Sequence, residues 1–458
     1  MLWVALHFPA LSLEVFPASS EPFAVIEGSV VRIGNEAAGA CGIRPGMPFP
    51  AAQALASDLV ARVRDEDAER QTLTGLASWA GRFTPAVSLQ HCGLLLEIGG
   101  CLRLYRGLEN LLQEIREGLR EMGYRFNAAC APTPHAAWLL ALAGGEKIVT
   151  GTDQLEKNLG GLSVKLLDQP PKTRESLEMV GAHTLKDCLK LPRQGMARRF
   201  GQALLDEIDR ALGRLPDARK YYVPPPSYER RLELPGKVQE AEALLFALHR
   251  ILPELAGHLS LLQAGIQEVE LVCRHEDFRD TVLKLGFAKP TRSLEKMRLL
   301  FREVLLKTIL PSPVHAICLN ARNILPLAAF NPDFFSEDEG EDSLLLERLR
   351  IRLGNDAVFG LEQVADHRPE KAWRYCEAGK GKGSSGNPNR PVWLLQRPLR
   401  CREGSLALKS GPERIESGWW DGMDVARDYY VAQHRNGARL WVYCDRSNGE
   451  WYVQGLFA

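Results

Sequence analysis

The chain has 458 residues with 57 basic and 57 acidic side chains, a formal net charge of zero and 45% hydrophobic residues. That length predicts three to four modules, and no run approaches the roughly 18 apolar residues of a membrane span, which argues against membrane insertion. The ten cysteines include no C-x-x-C pair, so they read as reduced thiols rather than a zinc module, and residues 1–16 lack the basic n-region of a signal peptide; a cytoplasmic location is expected.

The first predicted strand is Trp3-Val4-Ala5-Leu6-His7-Phe8-Pro9, and it carries no acid. Next comes Asn35-Glu36-Ala37-Ala38-Gly39-Ala40-Cys41-Gly42-Ile43-Arg44-Pro45-Gly46-Met47-Pro48, followed by Ala51-Ala52-Gln53-Ala54-Leu55. Gly42 and Gly46 suit tight positive-φ turns between two short helices, and Pro48 opens the second where a missing N–H is tolerated. A third block, Val87-Ser88-Leu89-Gln90-His91-Cys92-Gly93-Leu94-Leu95-Leu96-Glu97-Ile98, reads as strand around a turn. The second block resembles the fingers motif "A-x-x-x-G-(I/V)-x-x-G-(M/I)-P" of Y-family (translesion) DNA polymerases. The third sits where that family carries "S-x-D-E-x-x-L-D".

That resemblance implies where a catalytic site belongs and what is absent from it. The family's metal-binding acids fall at Ala5, His7, Cys92 and Gly93, none of which is a carboxylate. Nucleotidyl transfer uses two hard cations, and hard cations demand oxygen ligands. The family's triphosphate contacts, a Tyr and an Arg in the fingers and a Lys in the palm, fall at Glu36, Gly39 and His135. No catalytic residue, metal or cofactor is therefore expected. The alternative, an active polymerase with relocated ligands, has Glu14, Glu36 and Glu97 as its local candidates. Glu97 lies four strand residues beyond Gly93, roughly 13 Å at about 3.3 Å per residue, and Glu14 reads as a solvated helix residue.

The same resemblance organises the chain as an α/β (α+β) protein with palm, fingers, thumb and little finger. Residues 1–16 and 73–165 form the palm, 17–72 the fingers, 166–226 a helix-hairpin-helix-like thumb and 227–328 the little finger. The spacing Leu108-Leu111-Leu112-Ile115-Leu119 predicts a helix packed on the strand of Leu94, Leu96 and Ile98. In the thumb, Leu185–Gly201 resembles the second half of a helix-hairpin-helix unit. Its first hairpin, Gln169-Pro170-Pro171-Lys172, lacks the family's glycines, which puts thumb affinity for DNA in question. Beyond the stiff Val223-Pro224-Pro225-Pro226 linker, the pattern predicts β-α-β-β-α-β, as in the little finger that docks its sheet on template duplex.

Charge is unevenly spread: residues 172–231 hold 13 basic and 8 acidic side chains and 274–307 hold 9 and 5, whereas 1–165 hold 14 and 17. Arg193, Arg198 and Arg199 in the thumb and Arg274, Arg279, Lys284, Lys289 and Arg292 in the little finger are the candidate phosphate contacts. Solvated helix faces are the other reading of such runs.

Residues 329–343 join an apolar peptide to an acidic stretch. Asn331, Asp333, Phe334 and Phe335 resemble a sliding-clamp-binding peptide, with a hydrophobic tether onto the little finger as the other reading. From 344 to 458 a mixed α/β interaction domain is expected, aromatic and strand-rich. Its blocks Gly411–Gly422, Arg427–Ala432, Leu440–Tyr443 and Trp451–Ala458 resemble the C-terminal region of the ImuB group, catalytically defective Y-family homologues of the bacterial mutasome. Trp419, Trp420, Tyr429 and Tyr430 are its candidate partner contacts. Trp441, Tyr443, Trp451 and Tyr452 alternate as core strand residues would. The resemblance implies a non-catalytic adaptor in error-prone translesion synthesis with four partners: damaged primer-template DNA, the sliding clamp, an ImuA-like RecA-related protein and a C-family polymerase. A hub that binds proteins but not DNA is a third reading.

Overall fold

Strand β1 (Trp3–His7) runs through the middle of the first sheet, and the period of two along it divides the domain. Trp3 and Ala5 enter one core; Val4, Leu6 and Phe8 enter another on the opposite face. The computed structural model describes residues 1–276, 279–327, 339–378, 390–391, 393–402, 404 and 406–457. They fall into two units, Met1–Phe335 and Ser336–Ala458, both mixed in α and β content.

In the first unit, where palm, fingers, thumb and little finger are kept as labels for the segments so assigned from the sequence, α1 (Leu11–Glu14) follows β1, and the fingers segment then holds β2 (Phe23–Glu27), β3 (Val30–Gly34), α2 (Glu36–Ala40), α3 (Phe49–Leu55) and β4 (Val60–Val63). Gly42 and Gly46 take φ of +87° and +84°, the left-handed turns expected of them. Helix α4 (Glu66–Ala80) is capped by the Asp65 side chain. It is continuous across residue 72, so the expected fingers–palm boundary falls inside one helix. The palm continues with β5 (Val87–Gln90), β6 (Gly93–Glu97), α5 (Leu108–Glu121), β7 (Asn127–Ala131), α6 (Pro134–Leu142), β8 (Lys147–Ile148) and α7 (Leu155–Gly160). Its sheet order is β5-β6-β1-β7-β8. Leu111, Leu112, Ile115 and Leu119 of α5 pack with Leu94, Leu96 and Ile98, as the spacing predicts, and α4 shares that face through Leu73, Leu76, Ala77 and Ala80.

The thumb helices are α8 (Pro171–Met179), α9 (Leu185–Lys190), α10 (Arg193–Phe200) and α11 (Gln202–Ala211). Thr184 and Asp187 form a capping box at the start of α9. Leu177, Leu185, Cys188, Met196 and Leu204 share one core with α6 and with Trp3 and Ala5. The thumb therefore lies on the Ala5 side of the palm sheet.

The little finger has the expected order: β9 (Tyr228–Val238), α12 (Leu244–Leu261), β10 (Ala264–His275), β11 (Thr281–Thr291), α13 (Leu294–Leu305) and β12 (Val314–Ala321), with β13 (Ile324–Pro326) added beside β10. Its sheet runs β11-β10-β12-β9 with antiparallel pairing. Helix α12 packs on β9 and β10 and also on α4. Glycines permit the second contact. A β-carbon at Gly257 would overlap the Ser78 carbonyl and stand 2.7 Å from Trp79 Cα, one at Gly75 would lie 2.6 Å from Glu254 Cδ, and one at Gly81 would lie 2.8 Å from Leu261 Cδ2. Polar groups pin the same joint: Arg250 Nε donates to Tyr124 Oη at 2.8 Å and Arg250 Nη2 to the Glu14 carbonyl at 3.0 Å. Since α4 covers the Val4 and Leu6 face, thumb and little finger are docked against opposite sides of the palm sheet.

The second unit has α14 (Glu339–Leu353), a hairpin of β14 (Phe359–Gln363) and β15 (Trp373–Glu377), and the strands β16 (Trp393–Cys401), β17 (Ala407–Ser417), β18 (Val425–Gln433), β19 (Arg439–Asp445) and β20 (Trp451–Leu456). The last five form one antiparallel sheet ordered β16-β20-β19-β18-β17.

Candidate functional site

The residues read from sequence as a degenerate metal site do come together. In the β1–β6 ladder His7 pairs with Gly93 and Ala5 with Leu95. Cys92 occupies the turn before β6, where its carbonyl accepts the Phe8 N–H at 2.8 Å. Ala5 is fully buried in the core shared with α6. Trp138 of α6 fills the space over the strand end. A β-carbon on Gly93 would stand 2.7 and 2.9 Å from Trp138 Cζ3 and Cη2 and would overlap the Leu6 carbonyl. The His7 ring meets Trp138 edge-on at 5.7 Å, and burial lowers its pKa, favouring the neutral ring. Burial, followed by the Glu69 charge, raises the Cys92 pKa and disfavours a thiolate. These groups do not fit a pair of hard cations: none supplies a carboxylate, and an indole stands among them. Among the described residues no group of three or more His, Cys, Asp and Glu side chains is placed to hold a metal ion.

The relocated-ligand alternative fares little better. Glu97 lies at the far end of β6 opposite Trp3, and its Oε1 accepts from the Gly99 and Leu2 N–H groups at 3.1 and 3.4 Å. Glu14 and Glu36 line one cavity of about 510 Å³ with Arg125 and Arg250. Glu14 is not the solvated helix residue expected: it is largely buried, and its Oε1 accepts from Arg125 N and Nε at 3.1 and 3.0 Å. Burial raises its pKa despite that guanidinium.

At the expected triphosphate positions, Glu36 and Gly39 are exposed on α2, whose start is capped by Asn35 Oδ1 accepting from Ala38 N at 2.9 Å. His135, in the first turn of α6, is tied to the thumb: its Nε2 lies 3.1 Å from Glu207 Oε1. Glu207 is buried and also accepts from Gln169 Nε2 at 2.6 Å and Asp168 N at 2.8 Å. Burial would raise the Glu207 pKa, but these bonds carry it below the ordinary value. The residue at the expected phosphate contact thus joins palm to thumb, and Gln169 of the first thumb hairpin is part of that joint. Sequence reasoning missed Trp138 and Glu207. Their signals were present: an indole in an Ala- and Leu-rich helix, and an acid among the apolar residues of α11.

The candidate DNA contacts are dispersed. Arg198 and Arg199 are exposed on α10, whereas Arg193 is engaged by the buried Asp209. In the little finger, α12 and α13 cover one face of the sheet, and the open face is charge-balanced. Glu229, Glu233, Glu268 and Glu270 lie there beside Arg231, Arg274 and Lys284. Lys284 Nζ is 2.8 Å from Glu270 Oε1, and Arg274 Nη1 is 3.8 Å from Asp280 Oδ2. Arg279, Lys289 and Arg292 are exposed off this cluster, before β11, near its end and just beyond it. Helix α12 lies between the sheet and α4, and Glu229 and Arg231 at the β9 edge come close to α4. Asn331, Asp333, Phe334 and Phe335 lie outside the described residues.

In the second unit the aromatic candidates separate by environment. Tyr429 is 1% exposed, stacks on Trp441 at 4.3 Å and donates to Gln454 Oε1 at 2.5 Å, so it is a core residue and not a partner contact. Tyr430 is half-buried against Trp451, while Trp441 and Tyr443 are buried and Trp451 and Tyr452 half-buried. Trp419 and Trp420 are 79% and 57% exposed at the tip of the β17–β18 hairpin. Both are accessible because they stand in a turn, where strand alternation does not apply. The tip is anchored by the buried Arg368, whose Nη1 and Nη2 lie 2.8 Å from Asp421 Oδ1 and Oδ2. Arg368 also bonds Asp366 and lies 5.4 Å from the Trp420 ring.

Residues 16–141 match the impB/mucB/samB family, a span that contains both the Asn35–Pro48 and Val87–Ile98 blocks. The chain is 27% identical over 456 residues to Protein ImuB of Caulobacter vibrioides, in strains NA1000 / CB15N and ATCC 19089 / CIP 103742 / CB 15, covering 91% of this chain and 100% of the relative. Among solved structures it is similar to the Dbh ternary complex, with 14% identity and a TM-score of 0.40 over 71% of this chain and 100% of that one. It is also similar to a DinB-family error-prone DNA polymerase from Sulfolobus solfataricus, with 15% identity and a TM-score of 0.39 over 72% and 100%.

Proposed function

For a chain that carries an impB/mucB/samB-type domain at residues 16–141 and is similar to ImuB over most of its length, we propose a non-catalytic adaptor role in error-prone translesion synthesis. One observation carries this reading. The positions that the Y-family resemblance assigns to metal-binding acids hold Ala5, His7, Cys92 and Gly93, and the Trp138 indole stands against the place where a β-carbon on Gly93 would lie. His135 and Glu207 add to it, since the palm group nearest the expected phosphate is spent on the thumb. On this reading the Asn331–Phe335 peptide meets the sliding clamp, the second unit meets an ImuA-like RecA-related protein and a C-family polymerase, and Arg198 and Arg199 contribute salt-dependent DNA affinity.

The experiment is primer extension with Mg²⁺ or Mn²⁺ beside clamp binding on the same purified chain. No extension together with clamp binding lost in a Phe334→Ala, Phe335→Ala double variant is the expected result. Template-directed incorporation that tracks the protein and disappears when Glu14, Glu36 and Glu97 are replaced together would overturn the non-catalytic role.

A further inference from the structure

A second cavity, of about 490 Å³, lies on the α4 side of the palm, where α4, the linker after Tyr222, β9 and α12 meet. Glu254 and His258, one turn apart on α12 and so on one face, are both buried and line it. Among the described residues neither Glu254 Oε1 nor His258 Nε2 has a hydrogen-bond partner. Buried polar atoms are almost always paired, and an orphan points to a missing ligand, ion or water. The other atoms of both groups already serve the fold. Glu254 Oε2 is 3.3 Å from both Arg230 Nε and Tyr228 Oη, and the His258 ring bonds the Pro225 backbone. With that bond made by Nδ1–H to the carbonyl, Nε2 is left as a bare acceptor. Burial raises the Glu254 pKa against the pull of Arg230 and Arg250, and a carboxyl that keeps its proton there would donate from Oε1.

The remaining lining suits a flat, anionic guest. Tyr222 and Pro225 offer ring surfaces, Tyr228 is buried with its ring edge-on to His258, and Ser78 and Tyr222 are joined by a 2.9 Å hydrogen bond. Arg70 and Arg231 also line the cavity, their side chains 74% and 51% exposed and each, among the described residues, in an ion pair with an exposed acid, Asp67 or Glu233. Glu229 is the acid beside them.

We propose that this cavity binds a nucleoside monophosphate whose base has a lactam edge, with its N–H on His258, its C=O on Glu254 and its phosphate near Arg70 and Arg231. The site is distinct from the Trp138 position and does not rest on the non-catalytic reading. Because α4 belongs to the palm and α12 to the little finger, the bound nucleotide bridges the two and stabilises their joint by mass action.

Calorimetric titration of the full chain with dGMP, dTMP, dAMP, dCMP and inorganic phosphate tests it. The expected result is that dGMP or dTMP binds at least about tenfold tighter than dAMP and dCMP, because a site built on hydrogen bonds rejects analogues lacking them. Arg70→Ala should weaken that binding without changing the melting temperature of the free protein, and His258→Phe should remove the lactam preference. Equal affinity for all four nucleotides, no binding, or phosphate alone binding as tightly as the nucleotide would overturn the proposal. If His258→Phe fails to fold, Arg70→Ala and the four-nucleotide comparison still decide.

Discussion

Gly93 and Trp138 are sterically matched: a β-carbon on the first would stand 2.7 Å from Cζ3 of the second. The absence of an acid at position 93 is therefore part of the packing around α6 as well as a missing ligand. Gly93→Glu should destabilise the palm by at least ~1–3 kcal/mol through overpacking and should not restore nucleotidyl transfer. Adding Trp138→Ala should recover part of the loss in chemical denaturation. A single Gly93→Glu variant as stable as the parent would show that the indole moves aside freely.

The α4–α12 joint depends on close backbone approach at Gly257. Gly257→Ala should cost roughly 1–3 kcal/mol and detach the little finger from the palm. Limited proteolysis within Val223–Pro226 reads this out. Unchanged cleavage with unchanged stability would mean that the two helices are not held in this contact in solution.

His258 gives the joint a pH dependence. Burial lowers its pKa from 6.5 to about 4, with the Pro225 bond opposing, so between those values the unfolded chain binds the proton and the folded one does not. The stability it contributes is full above pH 6.5 and is lost as the pH falls towards about 4. Glu254, shifted upward by burial, works with the opposite sign: its contribution is present below its unfolded value and is lost as pH rises through the folded one. Comparing the parent with His258→Phe by urea unfolding from neutral pH down to about 4 isolates the histidine. The parent should lose stability relative to the variant, and parallel curves would reject the assignment.

The C-terminal aromatics should divide by role. Tyr429→Ala should cost ~3–5 kcal/mol, as truncation of a buried ring does, whereas Trp419→Ala and Trp420→Ala should change stability by less than ~1 kcal/mol. If the hairpin tip is the partner contact, only the tryptophan variants should lose capture of the RecA-related protein or the polymerase while remaining folded. Loss of capture by neither variant would move the contact elsewhere on the unit.

DNA affinity should follow the thumb. Arg198→Ala and Arg199→Ala should each reduce the salt dependence of gel-shift affinity by about one phosphate contact. Arg274→Ala and Lys284→Ala should change it little, since both cations already face carboxylates. The reverse pattern would place the duplex on the little finger.

Local periodicity and turn chemistry made much of the fold legible in the sequence: the β1 strand, the positive-φ glycines at 42 and 46, the apolar face of α5 and the β-α-β-β-α-β order of the little finger. Resemblance to the Y-family motifs, not periodicity, assigned Ala5, His7, Cys92 and Gly93 to one site, and the β1–β6 register pairs His7 with Gly93. Tertiary structure decided what no local pattern encodes. Trp138 closes the site because α6 crosses the ends of β1 and β6, and His135 is turned to a buried acid 72 residues away in the chain. The little finger sits behind the palm because three glycines let α12 approach α4. Tyr429 is core and its neighbours at 419 and 420 are not, since exposure depends on which surfaces meet and not on how aromatic the segment is.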